Sequence, residues 1–162
     1  MAFYYPILGL RSEEFYELLS DQKTSFGKVG AKLTHTIDFN ALPGFMNGYI
    51  DLVFESEGRF WIVDYKSNHL GDSLHDYQAE TLELVMAHEQ YVLQYLIYTL
   101  AVHRFLRKKL DDYEYDRHFG GVYYLFVRGM DPNFKGDGVF FDRPSLQLIE
   151  DLDRLVAGGN QK

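Results

Sequence analysis

The tightest constraint on this chain is the run Phe60-Trp61-Ile62-Val63-Asp64-Tyr65-Lys66, where two opposite charges interrupt a series of β-branched and aromatic residues. Such a series favours an extended strand. Side chains alternate across a strand, so Asp64 and Lys66 project from one face while Val63 and Tyr65 project from the other. Charges beside a core must be paired or bound to a metal, because taking them out of water is otherwise too costly. Upstream, Gly48-Tyr49-Ile50-Asp51-Leu52-Val53-Phe54 reads as a second arm, with the polar residues Glu55 to Gly58 as the turn of a β-hairpin. Asp51 in the first arm then meets Asp64 and Lys66 at the end of the second.

A bound cation would relieve the cost of that meeting. Hard oxygen ligands favour Mg²⁺ or Mn²⁺, ions that keep several waters and use one or two carboxylates plus substrate phosphate. Lys66 beside such an ion could orient or deprotonate a water, or stabilise charge developing on a phosphate. A lone Asp-x-Lys on a strand is more often a surface ion pair, so the reading rests on the combination with Asp51 and with the helices downstream.

Those helices lie between Asp72 and Phe119, a span with neither Gly nor Pro. Ser73 with Asp76 three residues on predicts a capping box. A first helix is expected over about 74–88 and a second over about 91–110, with their junction near Glu89. In the second, Leu93, Leu96, Ile97, Leu100 and Ala101 form an apolar stripe that should pack on the sheet. Gln94 and Tyr98, four apart, share a face beside that stripe and are candidates for polar work; Tyr91 and Tyr95 have weaker claims. The cluster Arg104, Arg107, Lys108 and Lys109 complements the helix dipole.

Elsewhere the chain predicts packing elements. Met1 to Leu10 reads as an edge strand broken at Pro6. Ser12-Glu13-Glu14 opens a short helix with Phe15, Leu18 and Leu19 on one face. Residues 31–40 alternate as a strand, which puts His35 and Asp38 on opposite faces and argues against a shared metal site. Gly48 reads as a point of close backbone approach or a bulge. Gly120 to Val127 predicts a buried strand, Val139 to Phe141 a short one, and Pro144 to Val156 a closing amphipathic helix.

Composition narrows the classes further. With 46% hydrophobic residues in 162, one ordered domain with a sizeable core is expected. The absence of cysteine excludes disulfides and thiolate-bound zinc or iron–sulfur centres, and fits a cytoplasmic setting. The longest apolar run, Tyr91 to Val102, is interrupted by Gln94 and too short for a bilayer. A net charge of −8 argues against broad electrostatic capture of nucleic acid.

The segments Gly-Tyr-Ile-Asp-Leu-Val-Phe at 48–54, Val-Asp-Tyr-Lys-Ser-Asn at 63–68, Leu-Gln-Tyr-Leu-Ile-Tyr-Thr-Leu-Ala at 93–101 and His-Phe-Gly-Gly-Val-Tyr-Tyr-Leu-Phe-Val-Arg-Gly at 118–129 follow one another in a telling order. In this the chain resembles the PD-(D/E)xK nucleases, and among them the RecB-type nuclease domains of exodeoxyribonuclease V beta subunits. The resemblance implies an α/β fold with a restriction-endonuclease-like mixed sheet flanked by helices. It implies a Mg²⁺-dependent (or Mn²⁺-dependent) exodeoxyribonuclease with DNA as substrate, RecC-like and RecD-like subunits as partners, and a role in DNA repair and recombination. Asp51, Asp64 and the Tyr65 carbonyl would hold the metal, Lys66 would position the attacking water, and Gln94 and Tyr98 would contact DNA or support the metal-binding residues.

The family also carries a metal-binding histidine in an upstream helical segment, to which no residue before Asp51 corresponds. Nor does the chain contain the phosphate-binding loop of a helicase. Residues 1–162 are therefore expected to form a single nuclease domain, truncated at its N-terminus, of a larger helicase–nuclease subunit. The competing expectations are a non-catalytic interaction domain on a nuclease scaffold and a stand-alone restriction-type endonuclease.

Overall fold

The structure is a computed structural model describing residues 1–7, 12–20, 44–133 and 137–158. The strand expected over 31–40, with His35 and Asp38, lies outside the described residues. In chain order the elements are β1 (Ala2–Ile7), α1 (Ser12–Ser20), β2 (Gly44–Tyr49), β3 (Leu52–Ser56), β4 (Arg59–Lys66), a 3-10 turn (Leu74–Tyr77), α2 (Ala79–His88), α3 (Tyr91–Lys109), the single-turn α4 (Tyr115–His118), β5 (Phe119–Phe126), a 3-10 turn (Val127–Gly129), β6 (Val139–Asp142) and α5 (Leu146–Val156). They fall into two compact units, Met1 with Ile50–Arg143, and Ala2–Tyr49 with Pro144–Lys162.

The first unit is built on a four-stranded sheet of order β3-β4-β5-β6. β3 and β4 pair antiparallel, β4 and β5 parallel, and β5 and β6 antiparallel, so the sheet is mixed and the fold α/β as expected. The hairpin is tighter than its polar stretch implies. Glu55 and Ser56 belong to β3, opposite Phe60 and Arg59, and only Glu57 and Gly58 turn the chain, at φ of 54° and 73°. Two consecutive left-handed residues match the twist of the flanking strands.

A parallel pair needs a long crossover, and the Gly- and Pro-free span supplies it. The capping box of Ser73 and Asp76 is present, on the 3-10 turn; Gln78 is extended and separates that turn from α2. α3 carries the main buried face. Val92, Tyr95, Leu96, Thr99, Val102 and Leu106 are buried, spaced by threes and fours. The expected stripe is displaced by about one residue, because Leu93 and Ile97 remain partly exposed. The helix packs on β5, whose Phe119, Val122, Tyr124 and Phe126 are buried.

In the second unit β1 and β2 form an antiparallel ribbon. β1 is not broken at Pro6, which sits in register opposite Phe45; a two-stranded ribbon has only edges, where a missing N–H is tolerated. Gly48 belongs to this ribbon and not to the hairpin. A Cβ there would lie 2.6 Å from the Phe3 ring, so the close approach is to an aromatic side chain. α1 buries Phe15 and Leu19 and packs against α5, whose first turn is capped by Ser145 accepting from the Leu148 N–H at 3.2 Å. Among the described residues no helix is long and apolar enough to cross a membrane.

Candidate active site

Lys66 ends β4, and period-two alternation turns it and Asp64 to the face that meets α3. Asp64 is only 3% exposed. Its Oδ2 lies 2.7 Å from Lys66 Nζ, yet no donor is aligned on that buried oxygen as a hydrogen bond requires. The pair is thus charge compensation without full hydrogen-bond satisfaction. Burial pushes the Asp64 carboxyl above its usual range, the Lys66 contact and charge pull it down, and the charge of Asp51 raises it again.

Asp51 sits at the bend just before β3 rather than within the arm, and it is exposed. The Tyr65 N–H donates to its Oδ2 at 3.1 Å, which ties the carboxylate to the end of β4. The Tyr65 side chain projects away from Asp64 and is exposed, so only its backbone belongs to the cluster.

The far side of Lys66 is closed by α3. Lys66 Nζ donates to Gln94 Oε1 at 2.9 Å, and Gln94 Nε2 donates to the Tyr98 hydroxyl at 2.9 Å. The face shared by Gln94 and Tyr98 is therefore the face that meets β4. Two tyrosines complete the cluster. The Tyr124 hydroxyl donates to Gln94 Oε1 at 3.0 Å, and Lys66 Nζ stands 3.9 Å from the centre of the Tyr91 ring. Tyr91 in turn donates to Asn68 Oδ1 at 3.2 Å. Burial raises the Tyr98 and Tyr124 hydroxyls above the ordinary phenol value, so both stay neutral donors.

The weaker claim given to Tyr91 undervalued it; its spacing of three from Gln94 was the available signal. Tyr124 was missed. It stands beside Asp64 only through the parallel register of β4 and β5, which nothing in the local sequence announces. Tyr95 serves elsewhere, donating to Asp142 Oδ2 at 2.8 Å. His69 meets Asp72 at 2.9 Å in an exposed loop. Arg107, Lys108 and Lys109 are exposed in the last turn of α3, where cations complement the helix dipole.

Among the described residues no group of three or more His, Cys, Asp or Glu side chains gathers as a ready metal cage. The donor set nonetheless fits a hard divalent ion that uses two carboxylates and completes its shell with water. The buried, unsatisfied Asp64 Oδ2 is an acceptor such an ion would satisfy, and Asp51 lies close enough for its charge to act on Asp64.

Residues 10–157 match the family described as PD-(D/E)XK nuclease superfamily. The chain belongs to that superfamily. Nucleases of this superfamily generally use divalent metal ions. The chain is 50% identical over 120 residues to the RecBCD enzyme subunit RecB of Haemophilus influenzae, covering 74% of this chain and 10% of that protein. It is 44% identical over 122 residues to RecB of Escherichia coli, covering 75% and 10%, and 46% identical over 125 residues to RecB of Mycobacterium tuberculosis, covering 73% and 11%. The chain is thus a RecB-type nuclease domain that spans about a tenth of the length of these relatives.

Proposed function

We propose that this chain hydrolyses DNA phosphodiester bonds with Mg²⁺, or Mn²⁺ in its place, as the exodeoxyribonuclease part of a RecBCD-type helicase–nuclease. The observation that carries the reading is the convergence of Asp51, the buried Asp64 and Lys66 at the end of β4, with Asp64 Oδ2 lacking a hydrogen bond. Asp51, Asp64 and the Tyr65 carbonyl would hold the ion. When bound, it supplies Lewis acidity toward a phosphate oxygen and lowers the pKa of water.

The chain's own groups account for the rest. Lys66 donates toward the water and the phosphate, orienting the first for in-line attack and stabilising charge on the second. The water gives up a proton to solvent as its oxygen forms a bond to phosphorus, the bond to the leaving ribose oxygen breaks, and that oxygen takes up a proton from solvent. Gln94 and Tyr98 support Lys66 from α3. Both compact units belong to one nuclease domain in this reading, which is supported by a family match running through both.

The reading includes RecC-like and RecD-like partners, which the relatives' name as RecBCD subunits supports, and a role in double-strand break repair. The cysteine-free composition supports a cytoplasmic setting.

The test is cleavage of labelled linear single- and double-stranded DNA with Mg²⁺ or Mn²⁺ by this chain and by a form extended at its N-terminus. Cleavage that Lys66→Ala lowers by a factor of about a thousand or more, the scale of losing a preorganised charge donor, supports the reading. An extended form that binds the ion but cuts neither DNA, with or without partner subunits, replaces it with a non-catalytic interaction domain.

A further inference from the structure

We propose that Tyr91 and Tyr124 are positioning residues for Lys66, the first through its ring and the second through its hydroxyl. The proposal rests on the nuclease reading above and extends it to two residues outside the Asp-x-Lys and Gln-x-x-x-Tyr patterns.

An ammonium on a flexible four-carbon stem has three donors and no intrinsic direction. Here Asp64 on β4 and Gln94 and Tyr91 on α3 surround it, and with no aligned hydrogen bond to Asp64 Oδ2 a donor remains for water or phosphate. Asp64 Oδ2 lies 2.7 Å away on β4, Gln94 Oε1 accepts at 2.9 Å from α3, and the Tyr91 ring centre lies at 3.9 Å. A ring face attracts a cation but offers no lone pair, so it holds Nζ in place without taking the donor that serves water and phosphate. For this the ring is needed and the hydroxyl is not. The Tyr91 hydroxyl is engaged elsewhere, on Asn68.

The Tyr124 ring centre also lies 5.1 Å from Nζ, but its closer contact acts one step back. The side-chain amide of Gln94 could present either its oxygen or its nitrogen to Lys66, and a nitrogen would set donor against donor. The Tyr124 hydroxyl donates at 3.0 Å to the same Oε1 that receives Lys66, while the nitrogen is taken up by the Tyr98 oxygen at 2.9 Å. Two donors on the oxygen and an acceptor on the nitrogen select one amide orientation. Here the hydroxyl is the functional part. The ring is fully buried and holds its place by packing, 5.8 Å centre to centre from Tyr91 and 6.1 Å from Tyr95.

The two tyrosines should therefore respond oppositely to the same small change. In the full chain, Tyr124→Phe is expected to lower kcat about 10- to 100-fold, the scale produced by misplacing a reacting group by about an ångström, with KM for DNA little changed. Tyr91→Leu should lower kcat similarly, and Tyr91→Phe should rescue most of the loss. The independent readout is NMR of the Lys66 side chain. The protons nearest Nζ lie over the Tyr91 ring at 3.9 Å, with the Tyr124 ring farther off at 5.1 Å, and should be shifted upfield in the wild type and in Tyr91→Phe and lose most of that shift in Tyr91→Leu.

An unchanged Lys66 spectrum in Tyr91→Leu overturns the ring contact, whatever the kinetics. A Tyr124→Phe enzyme as fast as wild type overturns the hydroxyl's role, and equal loss in Tyr91→Phe and Tyr91→Leu overturns the division of labour. Should Tyr91→Leu fail to fold, the contrast between the two Phe variants decides alone. Should the wild type extended at its N-terminus also cut no DNA, the nuclease reading falls and the kinetic claims with it, while the spectra still decide whether Tyr91 holds Lys66.

Discussion

Asp64 is a buried carboxylate whose ionised form is opposed by its surroundings, because burial and Asp51 together outweigh the help from Lys66. Its folded pKa lies above its unfolded one. The stability it contributes is then fully present below the unfolded value, near 3.9, and is lost as pH rises through the folded value. Asp64→Asn removes the titration while keeping the shape. In metal-free protein the variant should match wild type near pH 4 and gain on it as pH rises, by about 1.4 kcal/mol for each unit by which the folded pKa exceeds the unfolded one. Urea denaturation across that range with a chelator present checks it. A divalent ion should reverse the order by stabilising wild type alone; a neutral-pH variant less stable than wild type in chelator would show that the Lys66 pairing dominates. That Asp64 and Lys66 share a face was legible from alternation alone. The neighbours that complete their surroundings were only half legible: Tyr91 through its spacing on α3, Tyr124 not at all, since a parallel register set by a long crossover leaves no local trace.

Among the elements, the helices of the crossover were legible as a pair, with their joint near Glu89. α2 ends at His88 and α3 begins at Tyr91, and between them Gln90, the N-cap of α3, adopts φ 59°. Glycine usually fills this left-handed position after a helix. A residue with a Cβ is strained there, by about 1–2 kcal/mol, whereas glycine loses about 0.5–1 kcal/mol of chain entropy. Gln90→Gly should therefore stabilise the chain by about 0.5–1 kcal/mol and raise Tm by about 1–4 °C, seen by calorimetry. The hairpin has the same economy. Glu57, at φ 54° ahead of Gly58, occupies the position where Asn is preferred in two-residue turns, and Glu57→Asn should add about 0.5 kcal/mol. Turn composition located this hairpin, but four polar residues do not say which two of them turn; the register with β4 decided that Glu55 and Ser56 extend β3. The placement of Gly48 was misread for a related reason. A glycine beside a strand of aromatic residues signals close approach, but only the pairing of β1 with β2 shows that Phe3 is what approaches.

At the scale of the whole molecule, charge and chemistry pull in different directions. Sixteen basic and twenty-four acidic residues leave a formal charge of −8, while the proposed substrate carries a negative charge at every phosphate. Affinity for nucleic acid from neutralised phosphates requires basic groups along the strand's path. Arg59 and Arg143 are engaged by backbone carbonyls of Asp116 and Phe119, and Lys66 is held by Asp64 and Gln94. In the proposed reading such a nuclease would hold its substrate mainly at the cleavage point, through a divalent ion shared between carboxylates and phosphate, and would depend on neighbouring protein to deliver the strand. The chain should then bind single- or double-stranded DNA no tighter than about 10⁻⁴–10⁻⁶ M at physiological salt, with a log–log salt slope well short of the value near −10 that an extended basic surface gives. Fluorescence anisotropy with Lys66→Ala, which prevents cutting, and a divalent ion present measures both. Tight binding with a steep salt dependence would show that a basic track exists on this chain, and delivery by a larger assembly would no longer be needed. Weak, shallow binding that Asp64→Asn weakens further would place the grip at the ion, where the carboxylates are.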